Sequence, residues 1–456
     1  MVEVVVEVHD HFPSLREIVI WVDHDDPENL SLLRLNALWE AHYRHDSLLV
    51  FSSGRSFVDY KKLREEKPLL TPDITIMSVG TEIAYGEDML PDDDWEHFLN
   101  QKWDRNIVEE VSKLPYLQFQ SETAQRPYKV SFKVEKEHAQ EAITTLSTTL
   151  EKRGLDVKIV YSSGVDLDVL PRRAGKGQAL AYVLKKLSCD GKAPLSVLVC
   201  GDSGNDADLF SVPDVYGVLV SNALEELIEW HAENAKENPK IIHATERCAD
   251  GIVQAIRHFG LGISTSPRGV VAYAEWNKEN ENENFTPACE VVKFYSMYER
   301  WCRADIGDSE SHIQDITGNL YPNGVIIYPW GVELSLCEAA DALRQYYGGR
   351  KGKQFRVWID RVSTAQIGSD TWLMRFNKWE FFGECLQYFS YKSNAIQFRT
   401  CFVSLEDTKV QGKRQCCIVT ALLQFRAEGP EAFIWVHLHQ TWLDGTGNVE
   451  EGSWIF

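Results

Sequence analysis

The stretch that most constrains how this chain can fold is residues 195–210. An apolar run of strand length ends there at Gly-Asp-Ser-Gly-Asn-Asp, residues 201–206, and a helical pattern follows. Glycines interleaved with carboxylates directly after a strand are typical of the carboxyl edge of a parallel sheet, where open α/β folds bind ligands. Asp202 and Asp206 offer the hard oxygen ligands that Mg²⁺ takes beside a substrate phosphate. The stretch therefore predicts a metal and phosphate site.

Two other interpretations of residues 201–206 compete with this one. Gly-Asp-Ser-Gly also surrounds the nucleophile of chymotrypsin-like proteases, but Asn205 and Asp206 stand where that family has Gly-Pro, and the surrounding pattern is α/β rather than β-barrel. Taken by itself, the motif is also compatible with a solvated turn between a strand and a helix, in which Asp and Asn act as caps. Partners elsewhere in the chain decide between the turn and the ligand site.

Composition and charge narrow the class of protein. Charged residues make up 25% and hydrophobic residues 44%, as in ordinary globular chains, and 456 residues predict two or three domains. The net charge of −21 argues against non-specific binding to nucleic acid or to an anionic membrane. No apolar run approaches the ~20 residues that a membrane span needs. An anionic substrate must therefore be bound by a local group of Lys and Arg.

The cysteines and the N-terminus suggest the compartment. Ten cysteines lie between Cys189 and Cys417 without a Cys-x-x-Cys pair, so neither a zinc site nor a disulfide framework is predicted. The first residues are acidic and apolar and lack the basic region of a signal peptide. We therefore expect a reducing, cytoplasmic location.

A second strand end supplies candidate phosphate ligands. The apolar run 48–51 is followed by Ser52 and then by Ser53, Gly54 and Arg55. The Ser53 hydroxyl and nearby backbone N–H groups can donate to a phosphate, Gly54 allows close approach, and Arg55 adds charge. An ordinary turn with a surface arginine is the alternative.

Lys176 is a candidate cation for the same ligand. It stands between two glycines at the start of a predicted helix. The spacing excludes a nucleotide P-loop, because Leu170 stands where the first Gly belongs and Gln178 where Ser or Thr belongs. Because the helix dipole disfavours a lysine at a helix start, we favour a functional cation for one phosphoryl group over an ordinary exposed lysine.

The order of predicted elements divides the chain into three parts. Strand and helix patterns alternate in residues 1–87 and 162–262, which predicts a Rossmann-like α/β core. The predicted elements include a helix that opens at Asp26 and Pro27, a helix over residues 57–66, and a strand over residues 168–170 at which the core pattern resumes. Beyond a linker at 260–268, alternating strand patterns and two helical stretches in residues 269–456 predict an α+β domain with a curved sheet and helices on one side.

An α+β block, residues 88–161, interrupts the core, and we interpret it as an inserted cap domain. Within it, Val130, Phe132 and Val134 alternate with polar residues, as in a strand with one buried face. The adjoining Lys129 or Lys133 faces either a substrate or solvent.

These motifs resemble a known family, the sucrose-phosphate phosphatases of the haloacid dehalogenase superfamily. The resemblance extends from about residue 22 to the end of the chain. Three superfamily motifs occur in order at strand ends or helix starts, namely residues 53–55, Lys176 and residues 201–206. Ser53 replaces the family's usual Thr and keeps the hydroxyl. Further similar segments are residues 23–82, 126–132, 175–184 and the C-terminal half.

The resemblance implies hydrolysis of sucrose 6F-phosphate to sucrose and phosphate with Mg²⁺. It implies an Asp-x-Asp motif after the first strand, whose first Asp attacks phosphorus and whose second protonates the leaving oxygen. It also implies that the cap recognises the sugar, that the C-terminal domain supports a homodimer, and that sucrose-phosphate synthase is a possible partner. The candidate site is then Ser53 and Lys176 on the phosphoryl oxygens, Gly54, Arg55 and Lys129 on the substrate, and Asp202, Asn205 and Asp206 at the metal.

The chain departs from this family at the nucleophile. Counting back without gaps from residues 23–33 puts Arg16 in the place of the nucleophile and Ile18 in the place of the acid, and neither can do that chemistry. In one alternative, a register slip of seven residues lets Asp23 and Asp25 substitute. In the other, the first strand has been replaced, and the chain is a non-catalytic paralogue that binds sugar phosphate or a sucrose-synthesis partner.

Overall fold

A computed structural model describes most of the chain, which forms two compact units. The units are Met1–Gly269 and Val270–Phe456, which we call unit 1 and unit 2, and each is described by itself. The described residues are 17–21, 29–268, 286–383, 412–426, 432–443 and 456.

Strands and helices alternate over most of unit 1. Its elements, in chain order, are β1 (Glu17–Trp21), α1 (Leu30–His42), β2 (Leu48–Ser52), α2 (Phe57–Glu66), β3 (Ile74–Met77), β4 (Glu82–Tyr85), β5 (Leu90–Pro91), α3 (Asp93–Leu99), α4 (Arg105–Val111), β6 (Gln118–Phe119), β7 (Val130–Lys133), α5 (Lys136–Lys152), β8 (Val157–Ser162), β9 (Asp166–Pro171), α6 (Lys176–Cys189), β10 (Ser196–Gly201), β11 (Tyr216–Leu219), α7 (Glu225–Asn234), β12 (Ile241–His243) and α8 (Cys248–Phe259).

Eight of these strands form one sheet in the order β12-β11-β10-β1-β2-β3-β4-β5. The strands from β12 to β3 are parallel, whereas β4 and β5 are antiparallel at one edge. Parallel neighbours need crossover connections, which helices supply here. This is the predicted Rossmann-like α/β core, and β1 lies near its centre, between β10 and β2.

Helices cover both faces of this sheet, which explains why its strands are continuous apolar runs. All five residues of β2 are buried. Leu48 and Val50 pack with α6 on one face, and Leu49 and Phe51 pack with α1 and α8 on the other. A parallel sheet covered on both faces has no polar side, so its strands lose the alternation of polar and apolar residues.

One predicted helix is shortened in the structure, and the predicted start of another cannot be compared. α1 begins at Leu30 after Asn29, which has a φ of 55°; the predicted start at Asp26 and Pro27 lies outside the described residues. The helix predicted after residue 206 is reduced to one 3₁₀ turn, Leu209–Ser211, which follows another at Gly204–Asp206. Val212 next to them is extended, as expected for the residue before Pro213, so the helix cannot continue.

The inserted block contains a separate antiparallel sheet in the order β6-β7-β9-β8. Its core includes Phe132 of β7, Leu146 of α5 and Leu167 of β9, all fully buried. The sequence indicated that the core pattern resumes at the strand containing Asp168, but β9 pairs with β7 and β8 in the smaller sheet. By its pairing, β9 belongs with the insertion, and the exact domain boundaries stay a prediction.

Unit 2 is an α+β unit, as expected from the alternating patterns. Its sheet has the order β14-β13-β18-β17-β16-β15, with antiparallel neighbours except for β13 and β18. Helix α9, the longest among the described residues of unit 2, packs against β15, β16 and β18. The elements are α9 (Pro287–Arg303), α10 (Glu310–Thr317), β13 (Leu320–Ile327), β14 (Glu333–Ser335), α11 (Leu336–Gln345), β15 (Gln354–Gln366), β16 (Thr371–Gly383), β17 (Gly412–Arg426) and β18 (Ala432–Trp442).

Two further features of the described residues concern membrane spans and cysteines. None of the helices that the structure describes is both long and apolar enough to cross a bilayer. The cysteines in the described ranges are free thiols.

Candidate active site

Three neighbouring strands of unit 1 end at the same edge of the large sheet. β1 is parallel to β10 on one side and to β2 on the other, so that Ile20 lies opposite Val199 and Val50. The residues that follow β2 and β10 include the predicted phosphate loop, 53–55, and the predicted metal motif, 202–206. Both segments therefore leave the sheet at the edge where open α/β sheets bind ligands.

Lys176 and Asp206 form a fully buried ion pair near this edge. Lys176 is the first residue of α6, and its Nζ lies 2.7 Å from Oδ1 of Asp206, with neither side chain exposed. The helix dipole and the loss of water both oppose an ammonium group at this position. The Asp206 carboxylate offsets both effects. The sequence singled out each residue separately, and the structure brings them into contact.

The second oxygen of Asp206 organises the turn after β10. Its Oδ2 accepts hydrogen bonds from the backbone N–H groups of Asp202, at 3.1 Å, and Ser203, at 3.2 Å. Ser203 and Asp206 thereby form a capping box around the turn Gly204–Asp206. Both oxygens of Asp206 are engaged, so the geometry favours a role in holding Lys176, and direct metal contact stays a prediction.

The loop after β2 lies beside the metal motif. Ser53 is buried, and its Oγ accepts a hydrogen bond from the backbone N–H of Arg55 at 3.1 Å. The Arg55 side chain is exposed. A Cβ added to Gly54 would lie 3.6 Å from Nδ2 of Asn205. The predicted phosphate loop and the predicted metal motif are therefore neighbours in space, although they are far apart in the sequence.

Lys129 reaches this loop from the inserted block. It is buried, its Nζ donates to the Gly54 carbonyl at 3.3 Å, and it lies 3.6 Å from Oδ1 of Asp168. Asp168 also accepts a hydrogen bond from Ser131 Oγ at 2.5 Å. The sequence left two alternatives for Lys129 and Lys133, contact with a substrate or exposure to solvent. Lys133 is exposed to solvent, whereas Lys129 is not. No local pattern in the sequence marked Asp168 as a partner of Lys129, because the two residues meet through the pairing of β7 and β9.

Asp202 and Asn205 are the candidate metal ligands. Asp202 is half-buried; Asn205 donates through Nδ2 to Ser162 Oγ at 3.3 Å, and its buried Oδ1 has no hydrogen-bond partner among the described residues. A carboxylate and an unpaired amide oxygen are hard ligands that fit Mg²⁺, which also takes water and substrate oxygens. No group of three or more His, Cys, Asp or Glu comes together within the described ranges. A further protein carboxylate would have to come from another part of the chain.

Of the positions considered for the nucleophile and the acid, the structure describes Ile18 alone. Arg16, Asp23 and Asp25 lie outside the described residues. Ile18 pairs with the first residue of β2 and the second residue of β10, so it lies near the opposite end of those strands from the ligand edge. β1 instead ends at Trp21. The ungapped alignment therefore does not put Ile18 where a proton donor would act.

Comparison with known families covers both units. The sequence model described as sucrose-6F-phosphate phosphohydrolase matches residues 16–260, which is more than half of the chain. The chain belongs to this family. A second model, described as the C-terminal region of sucrose-6-phosphate phosphohydrolase, matches residues 287–396. The resemblance expected from the three motifs is thus confirmed.

Several members of the sucrose-6F-phosphate phosphohydrolase family are similar over nearly the whole chain. Sucrose-phosphatase 1 of Nicotiana tabacum is 55% identical over 437 residues, and probable sucrose-phosphatase 2 of Arabidopsis thaliana is 53% identical over 435, each match covering 95% of both chains. The crystal structure of the sucrose-phosphatase from Synechocystis sp. PCC6803, in complex with sucrose and phosphate, is 30% identical with a TM-score of 0.50, covering 54% of this chain and 98% of that one. The family assignment therefore agrees with the fold.

Proposed function

We propose that this chain is a phosphoric monoester hydrolase that converts sucrose 6F-phosphate to sucrose and phosphate with Mg²⁺ as its cofactor. The observation that carries the proposal is the buried ammonium group of Lys176, held by Asp206 at the ligand edge of the sheet. A buried cation at the same sheet edge as a loop with a hydroxyl and backbone donors suits a single phosphoryl group. Family membership and the names of the plant relatives support the choice of substrate.

Ser53 and Lys176 bind the phosphoryl oxygens in this proposal. The Ser53 hydroxyl donates a hydrogen bond, and Lys176 neutralises negative charge. Because Lys176 is fully buried, its field acts in a low effective dielectric and is stronger than at the protein surface. Asp206 fixes the ammonium group before substrate arrives, so little reorganisation is needed during the reaction.

Asp23 is the nucleophile in this proposal, and Asp25 is the acid. Asp23 follows Trp21, the last residue of the central strand β1, by two positions. A carboxylate oxygen of Asp23 attacks phosphorus as the bond to the sugar oxygen breaks, and Asp25 gives that oxygen its proton. Water then hydrolyses the aspartyl phosphate.

Asp202 and Asn205 would hold Mg²⁺, with Asp206 in support. When bound, the ion neutralises charge on the transferring phosphoryl group. Asn205 Oδ1 supports this assignment, because it is buried without a hydrogen-bond partner in the described structure.

Lys129, with Gly54 and Arg55, is assigned to the substrate. Its position supports this role, because it extends from the inserted block to the carbonyl group of Gly54 in the phosphate loop. The inserted block is then the cap that recognises the sugar. A cytoplasmic location, a homodimer and association with sucrose-phosphate synthase stay predictions.

Asp23→Asn tests the proposed nucleophile. We expect the full-length protein to release phosphate from sucrose 6F-phosphate in the presence of Mg²⁺. Because an amide cannot form the phosphoryl ester, Asp23→Asn should lower kcat by at least about 10³-fold. Asp26→Asn, the same chemical change three positions later, is the matched control and should keep kcat within about twofold of wild type.

A non-catalytic protein that binds sugar phosphate is the second candidate. It follows if Arg16 and Ile18 occupy the family's nucleophile and acid positions, as in the ungapped alignment. It predicts no phosphate release by the wild-type protein but retained binding of sucrose 6F-phosphate, measured by titration calorimetry. Equal turnover by wild type and Asp23→Asn would instead show that another group is the nucleophile.

A further inference from the structure

Three consecutive residues after β3 adopt left-handed backbone conformations. Their φ values are 53° at Ser78, 59° at Val79 and 82° at Gly80. Glycine adopts such values freely, but a β-branched residue such as Val79 rarely does, at a cost on the order of 1–3 kcal/mol. Val79 is also buried. The surrounding structure therefore holds these residues, which we call the left-handed turn.

The left-handed turn is hydrogen-bonded to the loop that follows β2. The backbone N–H of Val79 donates to the carbonyl of Ser53 at 3.2 Å, and that of Ser78 donates to the carbonyl of Arg55 at 2.9 Å. The phosphate loop is thus held at two points, one of them at Ser53 itself.

The same turn packs against the start of α6. A Cβ added to Gly80 would lie 2.3 Å from the carbonyl carbon and oxygen of Gly175 and 2.7 Å from the backbone nitrogen of Lys176. No side chain fits at such distances from backbone atoms, so the close approach requires glycine. The left-handed turn therefore contacts both segments that carry the candidate phosphate ligands, Ser53 and Lys176.

Glu82 connects the left-handed turn to the inserted block. Its Oε2 accepts a hydrogen bond from Ser78 Oγ at 2.6 Å, and its Oε1 accepts one from Arg126 Nε at 2.8 Å. Arg126 is three residues before Lys129, which itself contacts the phosphate loop at Gly54. The turn, the phosphate loop and the inserted block thus form one connected set of contacts.

We propose that the left-handed turn is a positioning element, which fixes the separation between Ser53 and Lys176, and that Glu82 links this separation to the inserted block. The inference rests on the proposed function, since it takes the shared ligand to be a phosphoryl group. Two loops that are not held together can shift relative to each other, and a misplacement of about 1 Å costs on the order of 10²-fold in rate. Gly80 and Glu82 act through Ser53 and Lys176.

Gly80→Ala in the full-length protein tests this inference against Gly86→Ala. Both glycines are left-handed, with φ values of 82° and 68°, so both variants carry a similar conformational cost. A Cβ at Gly86, however, meets nothing within 4 Å. We expect Gly80→Ala to lower kcat about 10–100-fold and to weaken inorganic phosphate binding at least about fivefold, with Gly86→Ala within about twofold of wild type. Steady-state kinetics and titration calorimetry give the two readouts.

Glu82→Gln is the second variant, because Gly80→Ala can fail to fold. The amide keeps the size of the side chain and an acceptor for Ser78, but it loses the charge that attracts Arg126. We expect kcat to fall about 3–10-fold, KM to stay within about twofold, and phosphate affinity to fall at least about threefold. Glu65→Gln, on the exposed surface of α2, is the matched control.

The inference and the proposed function fail in different ways. If the wild-type protein binds phosphate but releases none from sucrose 6F-phosphate, the proposed function fails, and weaker phosphate binding by Gly80→Ala than by Gly86→Ala still supports the positioning role. Equal kcat and phosphate affinity in Gly80→Ala and Gly86→Ala would overturn the inference. If Gly80→Ala does not fold, equal kcat and equal phosphate affinity in Glu82→Gln and Glu65→Gln would overturn the inference. Failure of the wild-type protein to bind phosphate would also do so.

Discussion

Lys176 and Asp206 combine a structural role with the proposed chemistry. Replacing Asp206 by Asn leaves the ammonium group buried without its counter-charge, so we expect the free energy of unfolding to fall by about 3–5 kcal/mol. Urea denaturation measures this change.

Asp214→Asn is the matched control for Asp206→Asn. Asp214 pairs with Lys240 at the surface, where its side chain is 93% exposed, so that substitution should cost less than about 1 kcal/mol. Similar losses for the two variants would contradict the account of the buried pair.

Residue type and spacing predicted the candidate ligands but not their supporting partners. Lys176 was identifiable because the helix dipole disfavours a lysine at a helix start, and Asp202 because it follows a strand within a glycine-rich motif. Glu82 and Asp168 have no comparable local pattern. Each contacts its partner from another segment, Arg126 for Glu82 and Lys129 for Asp168. Such contacts depend on tertiary structure, which local sequence does not specify.

Helix α9 carries a buried carboxyl group that makes the stability of unit 2 depend on pH. Burial raises the pKa of Glu290 from 4.5 to about 7, while its Oε1 accepts hydrogen bonds from Asn319 Nδ2 and Trp435 Nε1. The folded state therefore keeps a proton that the unfolded state has already lost. The resulting stability is complete below about pH 4.5 and is lost as the pH rises to about 7.

Glu290→Gln tests this dependence. The amide has no proton to lose, so the free energy of unfolding of the variant, relative to wild type, should rise by about 2–3 kcal/mol between pH 5 and pH 7. Burial also lowers the pKa of Lys293 to about 7. The folded state then loses this proton before the unfolded state does, which adds stability only above about pH 7, outside the range from pH 5 to pH 7. Glu310→Gln, at an exposed position in α10, should follow wild type, and a parallel curve for Glu290→Gln would contradict the prediction.

The spacing of apolar residues predicted most helices and strands, because it shows which face of each element is buried. The predicted helix 57–66 agrees with α2 at both ends. The strand containing Asp168 was also recognised, but its sheet was not, because periodicity does not show which strand lies beside β9. The helix expected after residue 206 is short because Pro213 disfavours a helical conformation at Val212, the residue before it. This steric effect outweighs the helical pattern of the sequence.

At the scale of the molecule, the change in composition and the alternation of elements predicted the architecture. The described chain divides after Gly269 into two compact units, and the linker at residues 260–268 and the domain bounds stay predictions. The sequence also placed an insertion within the core. What it could not establish is how closely Ser53, Lys176 and Asp202 approach one another, because three separate strand or helix ends meet only after the sheet has formed.

A crystal structure of the full-length protein with Mg²⁺ and orthovanadate tests this convergence most directly. Orthovanadate stands in for the transferring phosphoryl group. We predict that its oxygens lie within hydrogen-bond distance of both Ser53 Oγ and Lys176 Nζ, with Mg²⁺ bound to Asp202. Orthovanadate bound elsewhere, touching neither Ser53 nor Lys176, would contradict the account.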